Sequence, residues 1–230
     1  MILKIIGGKN MNELKRVGKY ILGLFIITIG VGFSIKSNLG NSPISTIPYS
    51  LTLVFGIDMG LTTIIFFTSL VILVIILLGR EFKLKSLLQI VSGVIFGYFT
   101  NCSLYLMSFI PVSNSFIMSI IYMGISIFCI ALGIFFYLPP NIIPLAVEGA
   151  TQTISRVINK PFPKVKVVFD MTMVTISGLI CLINIDSLGS VGIGTIISAF
   201  SIGFVLNYIV KFHKKITGHS VNLKQTPSSE

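Results

Sequence analysis

The chain has 230 residues, of which 53% are hydrophobic and only 10% charged, whereas an average soluble domain carries about 25% charged residues. Seventeen basic and seven acidic residues give a net charge of +10, and on so apolar a chain this excess points to the anionic face of a membrane before nucleic acid. An ordinary soluble domain is thereby excluded. A membrane-crossing helix needs about 20 apolar residues, so the length allows six or seven crossings and no second, soluble domain.

The apolar pattern predicts an all-α, polytopic membrane helix bundle. Six stretches are long enough to cross: about 20–36, 60–78, 87–110, 116–138, 165–183 and 190–210. Two amphipathic stretches, 43–56 and 144–158, reach only about 20 Å at 1.5 Å per residue, which predicts short re-entrant or interfacial helices. We therefore assign 20–210 to one transmembrane domain, between a cytoplasmic segment at 1–19 and a disordered tail at 211–230.

The basic residues predict the orientation of these spans. Sixteen of the 17 lie before the first span, at 80–85, at 156–166 or after residue 210, and only Lys36 lies elsewhere. With six spans all four clusters fall on one side, and the positive-inside rule makes that side, with both termini, cytoplasmic.

The chain also contains a weak internal repeat, with halves at about 20–110 and 116–210. A shift of 103 residues places Gly30 on Gly133, and a shift of 106 places 92–101 on 198–207. In each half the order is the same: a span, a break, a short helix, a second span, a loop and a third span. Because three is odd, two such halves in tandem have opposite orientations, so the repeat is predicted to be an inverted 3+3 repeat.

Inverted repeats with paired breaks are typical of secondary transporters. The pattern predicts transport of a small solute or ion by alternating access, with the breaks at 37–43 and 139–144 close together near mid-membrane. A non-transporting accessory, regulatory or scaffolding membrane protein is the alternative, and a channel also stays open.

Two acidic residues lie within or beside apolar segments, where ionisable groups are costly and usually paired or functional. Asp170 follows Lys166 by four residues, so the two share a helix face and predict an ion pair. Glu148 is the better candidate for coupling to a proton or cation, and the alternative is a carboxylate that stabilises a helix start. Further candidates for a solute site are polar residues of the breaks and of the second short helix: Asn38, Asn41, Ser42, Ser45, Asn141 and Gln152.

Other functional classes have little support in the sequence. Cys102, Cys129 and Cys181 lie at or within apolar stretches without metal-ligand spacing. We find no signature of a hydrolase, P-loop protein or metalloprotease, and we expect no enzyme, cofactor, metal or nucleic-acid partner. The lipid bilayer is the expected partner, and small-residue helix faces would allow a homo-oligomer.

Four segments carry a family resemblance: "SNLGNSPISTIPYS", "VEGATQTIS", "KPFPKVKVVFD" and "GIGTIISAFSIGF". Over about residues 20–210 the chain resembles the YitT/YczE group of bacterial integral membrane proteins, and more the YczE branch, since it lacks a soluble C-terminal domain. The resemblance implies a multi-pass protein of the bacterial plasma membrane and supplies no substrate. The positions that match the group are Glu148, Gly149, Lys166, Asp170, Gly194 and Thr195.

Overall fold

A computed structural model describes residues 11–82, 84–140 and 142–217. Within these ranges the regular structure is helical. Eight α-helices follow one another: α1 (Met11–Ser37), α2 (Thr46–Phe55), α3 (Met59–Leu78), α4 (Leu88–Ser108), α5 (Phe116–Tyr137), α6 (Ala146–Val157), α7 (Phe162–Ile185) and α8 (Ile193–Thr217). Short 3-10 turns precede α2 at Pro43–Ser45 and follow α3 at Gly79–Glu81.

Six of these helices, all except α2 and α6, are long and apolar enough to cross a membrane. The predicted all-α bundle with six spans and two short helices is therefore confirmed. The ends of the outer helices differ from the prediction, because α1 begins at Met11 and α8 continues to Thr217. Residues 11–19 and 211–217 are thus helical, and the rest of both predicted terminal segments lies outside the described residues.

The two short helices pack inside the bundle. Helix α2 packs against α3 and α7, and α6 packs against the same two helices. Their first turns are buried, at Thr46, Ile47 and Pro48 in α2 and at Ala146, Val147 and Gly149 in α6. Burial of the first turns favours the re-entrant form of the prediction over an interfacial helix that lies on the membrane surface.

Helices α1 and α5 make the most extensive contact in the bundle, and they cross in opposite directions. A Cβ on Gly133 would meet the Ile27 Cγ1 at 2.6 Å and the Gly23 carbonyl at 2.7 Å. A Cβ on Gly30 would likewise meet the Ile130 Cγ1 at 2.6 Å and the Ser126 carbonyl at 2.9 Å. The two backbones can approach this closely only where a side chain is absent.

The contacts of this crossing are related by the 103-residue shift found in the sequence, and the inverted repeat itself stays a prediction. The 103-residue shift converts Gly23, Ile27 and Gly30 into Ser126, Ile130 and Gly133, so each close contact maps onto the other. The remaining packing largely follows the same exchange, since α1 packs on α4 as α5 packs on α8, and α2 on α7 as α3 on α6. One difference stands out: α3 packs along α4, without a comparable contact between α7 and α8.

Contacts between helix ends establish which ends lie together. The start of α1 meets the end of α5, where the rings of Tyr20 and Tyr137 are 5.6 Å apart, and His213 near the end of α8 packs on Phe135. The starts of α4 and α7 lie there too, since Gln89 contacts α6 and Lys166 interacts with Glu148. We call this the basic end, because it holds the described members of all four basic clusters, such as Arg16, Arg80, Arg156, Lys166 and Lys214.

Candidate functional site

The connection from α5 to α6 is held in place at the basic end by two hydrogen bonds. The Arg16 guanidinium donates to the Pro140 carbonyl at 3.0 Å, and the Leu145 N–H donates to the Tyr137 hydroxyl at 2.7 Å. Leu145 is the N-cap of α6 and has no side-chain acceptor, so the tyrosine hydroxyl satisfies one of the free N–H groups at the helix start.

Glu148 lies in the first turn of α6 and is the central residue of the site. Its Oε2 atom is buried and has no hydrogen-bond partner. Burial raises the pKa of the Glu148 carboxyl above its ordinary value of 4.5, and the nearby Lys166 ammonium opposes that shift only in part. The carboxyl is therefore biased towards its protonated form, as buried acids without a close partner are.

The lysine that faces Glu148 is already engaged. The Lys166 Nζ donates to the Asp170 Oδ1 at 2.6 Å, and both side chains are mostly buried. The ion pair predicted from their spacing is thus present. Asp170 also acts on Glu148, raising its pKa by repulsion. Lys166 consequently stands between two carboxyl groups and neutralises only one of them fully.

Helices α1 and α4 close the other sides of the site. Tyr20 of α1 lies near Glu148 and near Ser92 of α4, and the Gln89 amide lies against Gly149, where a Cβ would meet it at 2.5 Å. The Gln89 Oε1 is buried and has no hydrogen-bond partner, and the buried Tyr20 hydroxyl has only the Ser92 hydroxyl close by. Together with Glu148 they form a polar cluster with unused hydrogen-bonding capacity, which native interiors seldom leave without a role or a bound water.

The residues predicted for one solute site fall into two groups at opposite ends of the bundle. Glu148, Lys166 and Asp170 lie at the basic end, and Gln152, one turn after Glu148, is partly buried and has an interaction partner. Asn41, Ser42 and Ser45 are buried near the end of α1, whereas Asn38 is exposed. Asn141 lies outside the described residues.

The prediction that the two breaks lie close together is wrong. The second break contacts Arg16 near the start of α1, and the first break follows the last residue of the same helix, Ser37. The 22 residues from Arg16 to Ser37 span about 30 Å of helix. Each break is thus at one end of the bundle, because α1 crosses the whole of it before the chain breaks.

Sequence analysis missed several buried polar residues. Tyr20 and Gln89 look like ordinary members of apolar spans, and only tertiary packing brings them to Glu148. Ser50, Ser177 and Ser190 form a network with oxygen separations of 2.6 Å that joins α2, α7 and the loop before α8. No spacing pattern in the sequence relates these three serines.

Metal-binding clusters are absent from the part of the chain that the structure describes, in that no three His, Cys, Asp or Glu side chains converge there. The three cysteines are free.

Comparison with known proteins places the chain in a family. Residues 14–211, which include all six spans and both short helices, match a family described as of unknown function. The chain belongs to the DUF6198 family. A relative from Bacillus subtilis, the uncharacterized protein YyaS, is 25% identical over 188 residues, which cover 82% of this chain and 89% of the relative. No solved structure matches the chain.

Proposed function

We propose that this DUF6198 protein is a secondary transporter or permease for a small solute or ion in the bacterial plasma membrane, with both termini in the cytoplasm. The single observation that carries the proposal is Glu148, a buried carboxyl whose Oε2 atom has no hydrogen-bond partner, at the start of a re-entrant helix. A protein without transport has no evident need for an ionisable group held in this costly state. Glu148 is the proposed coupling group.

The symmetric packing of the two halves supports the proposal. A pair of halves related by exchange can interchange conformations, which opens a site first to one face and then to the other. The mirrored contacts at the crossing of α1 and α5 are those an inverted repeat requires. The resemblance to the YitT/YczE group fits the same location and stays a prediction.

A non-transporting accessory role is the second candidate. The observation in its favour is the separation of the two breaks by the length of α1, because alternating access at one central site would bring them together. Under this alternative Glu148 only stabilises the start of α6 through the helix dipole.

The experiment uses purified protein in proteoliposomes on a solid-supported membrane. Currents are recorded on addition of amino acids, organic acids, sugars and monovalent cations between pH 5 and pH 8. We expect a pH-dependent current for at least one class, and Glu148→Gln should abolish the pH dependence while insertion stays intact. Glu81→Gln is the matched control, since Glu81 is an exposed acid at the same end.

Two results would contradict the proposal. Wild-type protein that gives no current with any class would favour the accessory role. A Glu148→Gln variant with an unchanged pH profile would remove Glu148 from the mechanism.

A further inference from the structure

A second polar cluster lies at the end of the bundle opposite Glu148, around the start of α2. Asn41 and Ser42 are each 1% exposed, and Ser126 of α5 is fully buried. The Asn41 Nδ2, the Ser42 hydroxyl and the Ser126 hydroxyl all lack a hydrogen-bond partner. Three orphaned polar atoms in one region are more than a packed interior normally leaves.

These residues are held in place by several elements. The Asn41 N–H donates to the Ser190 carbonyl at 2.9 Å, and Asn41 Oδ1 lies 3.4 Å from the Ser34 hydroxyl of α1. Ser126 packs against Gly30, one helical turn before Ser34. The loop before α8 closes the cluster, since the Leu39 carbonyl accepts the Gly194 N–H at 2.8 Å.

The orphaned atoms are mainly donors. Asn41 Oδ1 already faces Ser34, which leaves the amide N–H groups free, and a serine hydroxyl can donate in any direction its rotor allows. Ser42 occupies the N-cap of the turn that begins at Pro43, yet its side chain makes no cap hydrogen bond. The Pro43–Ser45 turn runs directly into α2, so Ser42 and Asn41 also lie at the positive end of the helix dipole.

The charges around the cluster favour the same kind of ligand. Lys36, in the last turn of α1, is the one basic residue at this end within the described ranges. The acids there are engaged or remote: Asp58 caps α3 and binds Asn101, and Asp186 is exposed in the loop after α7. Donors without a neighbouring carboxylate suit an anion, as at other helix N-termini.

We propose that Asn41, Ser42 and Ser126, with the start of α2, form a binding site for a small monovalent anion of the size of chloride. The site stands apart from Glu148 and does not depend on the transport proposed above. The ligand would accept hydrogen bonds from the Asn41 amide and the two hydroxyls.

The test is the thermal unfolding of the full chain, purified in detergent with gluconate as the anion, as chloride, bromide or nitrate replaces gluconate at constant ionic strength. A ligand that binds the folded state raises the Tm by about 3–5 °C for each tenfold increase above its dissociation constant. Sodium and choline salts are compared, and a shift that follows the cation would overturn the proposal.

Two variants test whether Asn41 and Ser42 are responsible for the rise in Tm with the anion. Asn41→Asp keeps Oδ1 and puts a charged oxygen in place of the free amide, so it should abolish the anion shift. Ser42→Ala is a milder second variant, expected to weaken the apparent affinity about tenfold. Ser103→Ala is the matched control, since Ser103 is a buried serine with a partner, Thr28, 2.7 Å away between α1 and α4.

A variant of Glu148 separates this test from the test of the proposed transport. Glu148→Gln should keep the full anion shift, because that residue lies at the other end of the bundle. Absence of a shift in wild type, or equal shifts in wild type, Asn41→Asp and Ser42→Ala, would show that water alone satisfies the cluster and would overturn the proposal.

Discussion

At the scale of single residues, two carboxyl groups at the basic end interact with one lysine, and they do so unequally. Lys166 lies beside two carboxyl groups but forms its short ion pair with Asp170. Asp170 is one helical turn away on the same helix, so the pair forms without any constraint from the rest of the fold. Glu148 must rely on a longer interaction, and its carboxyl is left biased towards protonation.

This bias predicts the pH dependence of stability. A carboxyl whose pKa is raised in the folded protein binds more protons when folded than when unfolded, so stability is complete below the unfolded pKa and falls as the pH rises through the folded pKa. Glu148→Gln should therefore flatten the stability profile above about pH 4.5 and stabilise the protein by about 1.4 kcal/mol for each unit by which the pKa is raised. Thermal unfolding between pH 4 and pH 9 measures this difference. A wild-type profile that rises with pH over this range would contradict the assignment.

The ion pair predicts a second pattern. Lys166→Met should destabilise the protein by about 1–3 kcal/mol, because it leaves Asp170 mostly buried beside Glu148 without a cation. Asp170→Asn should cost less, since Lys166 can then turn to Glu148. The double variant should be milder than Lys166→Met alone. Chemical denaturation in detergent measures all three, and additive losses would show that the pair is not coupled.

At the scale of helices, the sequence predicted the six spans because their length is a direct consequence of membrane thickness. It did not predict where α1 begins and where α8 ends. Both helices extend beyond their apolar part into segments with basic residues such as Arg16 and Lys214. Asn38 is the one candidate of the first break that lies outside the buried polar residues. It adopts a left-handed backbone, with a φ of 56°, as the chain leaves α1, and its side chain is exposed.

The contents of the site were predictable only in part. Spacing on one helix revealed Lys166 and Asp170, and the rarity of acids singled out Glu148. Tyr20 and Gln89 could not be found in this way, because each lies on a different helix and meets Glu148 only through tertiary packing. Contacts of this kind have no fixed sequence separation for a pattern to detect.

The crossing of α1 and α5 predicts which glycines matter. Gly133→Ala places a methyl 2.7 Å from the Gly23 carbonyl, and since backbone cannot move aside we expect a loss of about 1–3 kcal/mol. Gly124→Ala is the matched control on the same helix. Its Cβ would meet nothing within 4 Å, so stability should be unchanged or higher by up to about 1 kcal/mol. Equal effects of the two variants, measured by thermal unfolding, would refute the close approach.

At the scale of the whole molecule, all four basic clusters share one end of the bundle although they are far apart in sequence. This is the arrangement that the positive-inside rule converts into an orientation. The side of the membrane on which the basic end lies is a prediction of that rule. Orientation therefore needs its own measurement.

Reporter fusions supply that measurement. Fusions after Arg80 and after Lys164 should both report cytoplasm, because each point lies at the basic end, and a fusion after Val112 should report the outside. Fluorescent protein and alkaline phosphatase fusions give opposite signals at each point. A fusion after Lys164 that reports the outside would contradict both the orientation and the inverted repeat.

The mirrored crossing of α1 and α5 has a mechanical consequence. Contacts from backbone to backbone have no side chain that can change rotamer, so these two helices are locked together and cannot slide past one another. Helices α4 and α8 extend this unit through their contacts with α1 and α5. Helices α2, α6 and α7 pack chiefly on one another and on α3, which in turn packs along α4. We expect any large motion to be a rocking of this second group of four helices against the first, about a pivot at the seam between α3 and α4.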